Sequence, residues 1–254
     1  GLAADASVTS RPVVAVKIDN YWRARPQWGL DEADVVIEEN VEGVTRFVAL
    51  FHSRTPAVLG PVRSARTGDL DLLAAMNRPV FAYSGANAGV TDWIGSATAS
   101  GLLVDYTAQR KPCYFRTPDR PGPHNLLLDP TCAQRVAEAD SPGPARPLWP
   151  IDAGWVPRAG VAATPDTTFP VPMDGVAVTW GWEAATGAYL RSQDGQPHVA
   201  ASGAQLTANN VVVLSVVHVP SPVDARSPNP ITVGTSNAVV HRDGVAIAAV
   251  WSRA

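Results

Sequence analysis

The 254-residue chain carries 23 prolines and 20 glycines, and their placement limits its architecture more than any other feature. Proline cannot continue a helix interior or a central strand, and glycine marks turns and bulges. Prolines are densest between Ser141 and Pro172, at 142, 144, 147, 150, 157, 165, 170 and 172. The stretch 146–172 therefore reads as an extended connector between an N-terminal part, 11–145, and a C-terminal part, 173–254. Elsewhere the punctuation leaves short apolar runs. The fold class that follows is α/β in the broad α+β sense: a mixed sheet with short helices in the N-terminal part, and a β-rich C-terminal part.

The short apolar run 13–18 reads as a buried strand that delivers Asp19 and Asn20 at its end. Residues 30–33 fit one helical turn. The runs 35–41 and 44–51 flank Glu42-Gly43. A two-residue hairpin there pairs Val41 with Val44, Glu39 with Arg46 and Ile37 with Val48. Glu39 and Arg46 then become cross-strand partners on the face of Val35, Ile37 and Leu50, while Glu38, Asn40, Thr45 and Phe47 take the other face. Leu70, Leu73 and Ala74 have helical spacing within 68–78, with Thr67 as the N-cap and Asp69 and Asp71 in the first turn. Further expectations are a strand over 80–83 and helices over 90–96 and 127–139. In the C-terminal part, strands are expected over 176–182, 188–191, 211–219 and 239–251, with hairpin signals at Asp194-Gly195 and Asp243-Gly244.

Composition removes several functional classes. A net charge of -3 lacks the basic field that nucleic-acid binding needs. No apolar run approaches the ~18 residues that span a bilayer. There is no GxGxxG, P-loop or GxSxG motif, and no Cys/His spacing for structural zinc. The 2 cysteines, Cys113 and Cys132, leave two readings open: one disulfide, or two buried thiols.

The chemistry-bearing stretch is Gly60-Pro61-Val62-Arg63-Ser64-Ala65-Arg66. A stiff turn brings Arg63 and Arg66 to the start of a helix, where exposed N–H groups and two guanidinium forks suit a phosphate, sulfate or carboxylate. Asp69 and Asp71 are rivals for the same arginines. Arg46, with Asn20 and Asn125, completes the expected ligand-binding set, and Arg23, Arg25 and Arg116 are further basic residues that could converge on it. Asp19, Glu38 and His124 are the residues that could act as general acid or base, or hold a divalent metal through strand-end carboxylates. His124 and Asn125 sit on a rigid Gly-Pro-His-Asn turn. No other cofactor is indicated.

Together these blocks resemble the YerB-like lipoprotein family. The resemblance rests on Lys17-Ile18-Asp19-Asn20, Ala24-Arg25-Pro26-Gln27, Glu38 through Arg46, Gly60 through Arg66, and Pro123-His124-Asn125-Leu126. It continues in Trp180-x-Trp182, Gly187-Ala188-Tyr189-Leu190-Arg191, Asn210-Val211-Val212-Val213 and Arg242-Asp243-Gly244. It implies a bacterial extracytoplasmic protein, lipid-anchored in its full-length form, with an N-terminal domain of unknown function and a smaller C-terminal one. The chain lacks a signal peptide and lipobox cysteine, as a trimmed form would. At Trp251–Ala254, where the resemblance implies a further strand pair, two readings stay open: the last elements are absent, or the C-terminal sheet is incomplete. An exported setting favours the Cys113–Cys132 disulfide. The expected partner is an anionic small molecule or envelope polymer, such as a phosphorylated glycan or lipid head group, with a protein partner as a further possibility. The alternatives are an envelope scaffold, and a phosphotransferase- or hydrolase-like enzyme, the latter with a faint topological echo of the LytR-CpsA-Psr phosphotransferases.

Overall fold

A computed structural model describes residues 10–141, 143 and 162–254. The N-terminal part is built on a five-stranded sheet in the order β2-β3-β1-β4-β5, from β1 (Val14–Asp19), β2 (Val35–Val41), β3 (Val44–Phe51), β4 (Val80–Tyr83) and β5 (Val104–Thr107). β1, β4 and β5 are parallel, and β3 runs antiparallel to β1 and to β2. The β2–β3 hairpin has the register the two-residue turn requires, with Val41 opposite Val44 and Glu39 opposite Arg46.

Alternation along the strands sends side chains to two apolar layers. Ala15, Val48, Leu50, Phe81 and Tyr83 face Leu73 of α1 (Thr67–Leu73) and Val90 and Ile94 of α2 (Ala88–Ala99). Val14, Val16, Ile18, Phe47 and Ala49 face Ala133 and Ala137 of α3 (Pro130–Asp140), with Ala200 and Leu206 of the C-terminal part.

All three helices start elsewhere than the spacing suggested, and α2 extends beyond the expected 90–96 at both ends. Arg66, not Thr67, is the N-cap of α1, because the Asp69 carboxylate reaches back to accept from the Arg66 N–H at 2.7 Å. That helix also stops at Leu73 rather than 78, and Asn77 and Arg78 adopt positive φ. Residues 127 and 128, expected to begin a helix, instead belong to β7 (Leu126–Leu128), paired with β6 (Tyr114–Arg116). Helix α3 follows with Asp129 as N-cap and Pro130 in its first turn, the arrangement proline favours. A disulfide joins Cys113 to Cys132 across this region.

The C-terminal part contains two larger sheets and a hairpin. One sheet has the order β12 (Gln196–Pro197), β11 (Ala188–Gln193), β10 (Val176–Glu183), β9 (Thr168–Met173), with β13 (Thr207–Ala208) also paired to β11; the other has the order β14 (Asn210–Leu214), β17 (Gly234–Arg242), β18 (Val245–Arg253), β8 (Ala163–Pro165). Part of the expected connector belongs to these sheets. Residues 163–172 contribute β8 (Ala163–Pro165) and most of β9 (Thr168–Met173), and β9's prolines are tolerated because it is an edge strand. The rest of the connector, 146–161, lies outside the described residues. The apolar runs 211–219 and 239–251 each divide in two. The first gives β14 (Asn210–Leu214) and β15 (His218–Ser221). The second gives β17 (Gly234–Arg242) and β18 (Val245–Arg253), hinged at Asp243-Gly244. β15 pairs with β16 (Asp224–Pro230), and β10 (Val176–Glu183) pairs with β11 (Ala188–Gln193).

The two parts dock through turns and a buried polar seam. Gly175, in the β9–β10 turn, lies directly against the Gly43 backbone of the β2–β3 turn, where a Cβ could not be accommodated. The Asp174 N–H donates to Asn40 Oδ1 at 2.9 Å. Val223, at the β15–β16 turn, packs against Gly89 of α2.

The disulfide closes a loop of about 20 residues, so removing it by Cys113→Ser with Cys132→Ser should lower stability by roughly 3 kcal/mol on the chain-entropy scale. Chemical denaturation of the two forms measures this, and an unchanged midpoint would contradict it.

Candidate functional site

β1 and β4 pair only through Val14–Val80, Ala15–Phe81 and Val16–Ala82. Beyond that point they separate, and the arginine turn enters the gap. The Asp19 N–H donates to Pro61 O, Arg63 N–H to Lys17 O, Ser84 N–H to Arg63 O and Ala65 N–H to Gly85 O, all at 2.9–3.0 Å. Gly60 makes the entry possible. Its φ is +141°, and a Cβ would sit 2.9 Å from Leu126 O and Leu127 Cδ2. Arg63 and Arg66 are thereby held at the carboxyl ends of the parallel strands, the region where open α/β sheets bind ligands.

The charges there pair in a definite pattern. Lys17, fully buried, donates to Glu39 and, at 2.7 Å, to Asp69. Burial pushes its pKa down to about 8 against the opposing pull of Asp69. Arg66 makes a two-pronged contact with Glu42, Nε to Oε1 at 2.9 Å and Nη2 to Oε2 at 2.7 Å. Burial would raise the Glu42 carboxyl, but hydrogen bonds from Arg66 and Ser227, with the Arg66 charge, outweigh it and hold the pKa at about 2. Arg63 Nε lies 3.1 Å from Asp19 Oδ2, and the same oxygen is 2.7 Å from His124 Nδ1. Tyr21 stacks on the His124 ring with centroids 4.8 Å apart.

Arg46 differs from its neighbours. It is 6% exposed. One terminal nitrogen donates to Ser64 O at 3.0 Å, and its buried Nε has no partner. Among the described residues no carboxylate forms an ion pair with it. Burial, then the charges of Arg66 and Arg63, push its pKa down to about 10, against Asp19 and Glu42.

A second polar network occupies the other face of the same strand ends. Glu38 receives Arg191 Nη2 at 2.8 and 2.9 Å and the Thr45 hydroxyl at 2.7 Å. Asn20 donates to Thr45 and to Gln193 at 2.7 and 2.9 Å. His198 contacts Arg191 through Nδ1 and Gln27 through Nε2. This network joins the two parts of the chain. Burial and the charges of Arg191 and Arg25 lower the His198 pKa to about 3, so the ring is buried neutral.

The model of the N-terminal domain of DUF3048, a family of unknown function, matches residues 1–142, and that of the DUF3048 C-terminal domain matches 169–254. The chain belongs to the DUF3048 family. Among the curated relatives is "Putative lipoprotein YerB" of Bacillus subtilis (strain 168), 36% identical over 142 residues. That match covers 54% of this chain and 41% of the relative's length. The crystal structure of the YerB protein from Bacillus subtilis superimposes with a TM-score of 0.82 at 24% identity. It covers all of this chain and 86% of that one, and it establishes a common fold. No helix among the described residues is long and apolar enough to cross a membrane.

In this DUF3048 chain, the structure brings Asp19, His124, Arg63, Arg46 and Arg66 together. It separates Glu38 and Asn20, which face the C-terminal part. Asn125 is also apart, accepting from Arg116 and donating to Thr117 O. Arg23 lies over Trp22 and Arg25 pairs with Asp194, so neither joins the cluster. The rivalry expected of Asp69 and Asp71 does not arise. Asp69 binds Lys17 and the Arg66 N–H, and Asp71's carboxylate pairs with neither arginine. Glu39 and Arg46 share a register position, but Glu39 turns to Lys17, whose buried ammonium needs it. Asp19, Glu38 and His124 do not form one metal-binding set. Among the described residues, the group close enough to hold a cation is Cys113, Asp129 and Cys132, and its two sulfurs are joined in the disulfide. Sequence reasoning missed Lys17, a charge inside an apolar strand run, which calls for buried partners. It also missed Arg191, Gln27, Gln193 and His198, whose partners lie in the other part of the chain.

Two outcomes follow. Glu38→Ala leaves Arg191 buried without its carboxylate and should cost about 3–5 kcal/mol, whereas Glu42→Ala, at a carboxylate whose side chain is 35% exposed, should cost less. Denaturant titrations of both variants decide this. For His198 the unfolded chain takes up a proton near pH 6.5 that the folded chain refuses until about pH 3. Its contribution therefore makes stability fall as pH drops through that window, by about 1.4 kcal/mol per pH unit. His198→Gln should flatten the slope, and an unchanged slope would contradict the assignment.

Proposed function

We propose that this DUF3048 chain is the folded part of an extracytoplasmic envelope protein that binds a phosphorylated or similarly anionic ligand at Arg46 and Arg63. The envelope setting rests on the lipoprotein name of its Bacillus subtilis relative. The observation that carries the ligand reading is Arg46: a buried guanidinium with an unpaired Nε, no ion-paired carboxylate, and two further arginines close enough to depress its pKa. Such a charge is costly until a counter-charge arrives. Arg63 supplies the accessible half of the site. Its side chain is 21% exposed, its Nε forms an ion pair with Asp19 without hydrogen-bond geometry, and its terminal nitrogens have no hydrogen-bond partner among the described residues. A tetrahedral oxyanion matches such forks through charge-assisted hydrogen bonds.

A scaffold is the second reading, favoured by the closed Lys17–Glu39–Asp69 and Arg66–Glu42 groups. Stability separates the two. If Arg46 is kept for a ligand, Arg46→Met leaves the unliganded protein as stable as before, or more stable by up to about 1–4 kcal/mol. If it is structural, the variant loses stability.

Inorganic phosphate provides the direct test. It should raise the melting temperature of the wild type, reaching about 2.7 kcal/mol of stabilisation at a hundredfold excess over Kd. Arg63→Gln should abolish the shift while keeping the fold. A shift that persists in Arg63→Gln would place the anion elsewhere and sink this reading.

A further inference from the structure

His124, which is partly exposed, is built differently from His198, the buried histidine of the same sheet end. Both ring nitrogens of His198 are engaged, by Arg191 and Gln27. His124 uses only Nδ1, which contacts Asp19 Oδ2 at 2.7 Å. An ionised carboxylate only accepts, so Nδ1 carries the hydrogen and the lone pair resides on Nε2. Nε2 has no hydrogen-bond partner among the described residues, and the side chain is 13% exposed. The ring cannot turn freely. Tyr21 stacks on it, and the Tyr21 N–H donates to the other Asp19 oxygen at 3.0 Å. Asp19 is itself buried, and its Oδ2 also holds Arg63 Nε at 3.1 Å. One carboxylate oxygen thus orients both an available imidazole lone pair and the arginine assigned to the anion. A carboxylate–histidine pair with a free outer nitrogen is the arrangement that activates nucleophiles or serves as one.

We infer that His124 Nε2 is a phosphoryl acceptor, taking phosphate from a phosphate monoester whose oxygens are held by Arg63 and Arg46. This rests on the anion-site reading above. Nε2 attacks phosphorus and a N–P bond forms. The P–O bond to the leaving group breaks, its electron pair departs on that oxygen, and water protonates it. The hydrogen on Nδ1 stays bound to Asp19, whose charge offsets that of the ring. The arginines offset charge on the transferring oxygens. Water then attacks phosphorus and gives its proton to the hydroxide left by the first step, the N–P bond breaks with its pair returning to Nε2, and phosphate is released. The net change is ester plus water to alcohol plus phosphate. His124 is the catalytic residue, and Asp19 is a positioning residue that sets its tautomer.

The experiment uses phosphoramidate, a small donor whose P–N bond breaks with loss of ammonia. Phosphorus NMR and peptide mass analysis read the product, and melting in inorganic phosphate is measured in parallel. The wild type should acquire one acid-labile phosphoryl group on His124. His124→Gln should acquire none yet keep the phosphate-induced melting shift, because the arginines remain. Arg63→Gln should lose both. Asp19→Asn should slow phosphoryl uptake and move its pH profile, which a purely structural residue would not do. A wild type that shifts with phosphate but stays unmodified, or a His124→Gln protein modified as fully as wild type, overturns the inference and leaves the anion site standing. A wild type that phosphate does not stabilise overturns both.

Discussion

A single ammonium group inside the sheet organises the end of this fold. Lys17 sits in a strand whose other side chains, apart from Asp19 at its end, are apolar, and its charge reaches no water. It can remain ionised only because Glu39 from β2 and Asp69 from α1 come to it. That requirement fixes where β2 ends, how α1 begins and why Arg66 becomes its N-cap, since Asp69 uses its second oxygen on the Arg66 N–H. With Glu39 and Asp69 committed to Lys17, the nearby arginines must find other partners. Arg66 takes Glu42, Arg63 takes Asp19, and Arg46 is left without a carboxylate.

The arginine turn is the second constraint. Parallel strands that diverge leave unpaired backbone groups at the opening, and residues 61–65 satisfy them as a short inserted segment. The segment is covalently rigid at Pro61 and sterically confined at Gly60. Its side chains are therefore placed by backbone hydrogen bonds and not by their own conformational preferences. This is the kind of support a binding group needs if it is to hold a ligand without first being ordered.

Local patterns carried much of the architecture. The β2–β3 register followed from counting around Glu42-Gly43, and β4 from its apolar run between turns. The hairpin at Asp243-Gly244 lies where the dipeptide signals it, with positive φ at both residues. What could not be read was pairing at long sequence separation. Strand periodicity places Glu39 and Arg46 on one face, but only the folded chain shows that Lys17 draws Glu39 away. Likewise Glu38, Asn20 and Gln27 read as polar groups at strand ends and in a loop. Their partners Arg191, Gln193 and His198 lie more than 150 residues later, separated by 153, 173 and 171 positions. Helix starts failed for a related reason. Asp69 and Asp129 both act at helix starts, but which neighbour becomes the cap depends on backbone geometry that several adjacent residues could adopt.

The alternation of the strands has one more consequence. Asp19 and Asn20, Glu38 and Glu39, and Thr45 and Arg46 are neighbours in the chain, yet within each pair one residue faces the charge cluster and the other the inter-domain seam. The two systems are interleaved with a period of two residues. Losing or gaining one residue in these strands would exchange them, presenting an amide, a carboxylate and a hydroxyl to the arginine turn, and two carboxylates with the Arg46 guanidinium to Arg191. The spacing between these side chains therefore cannot change without dismantling the junction and the cluster together.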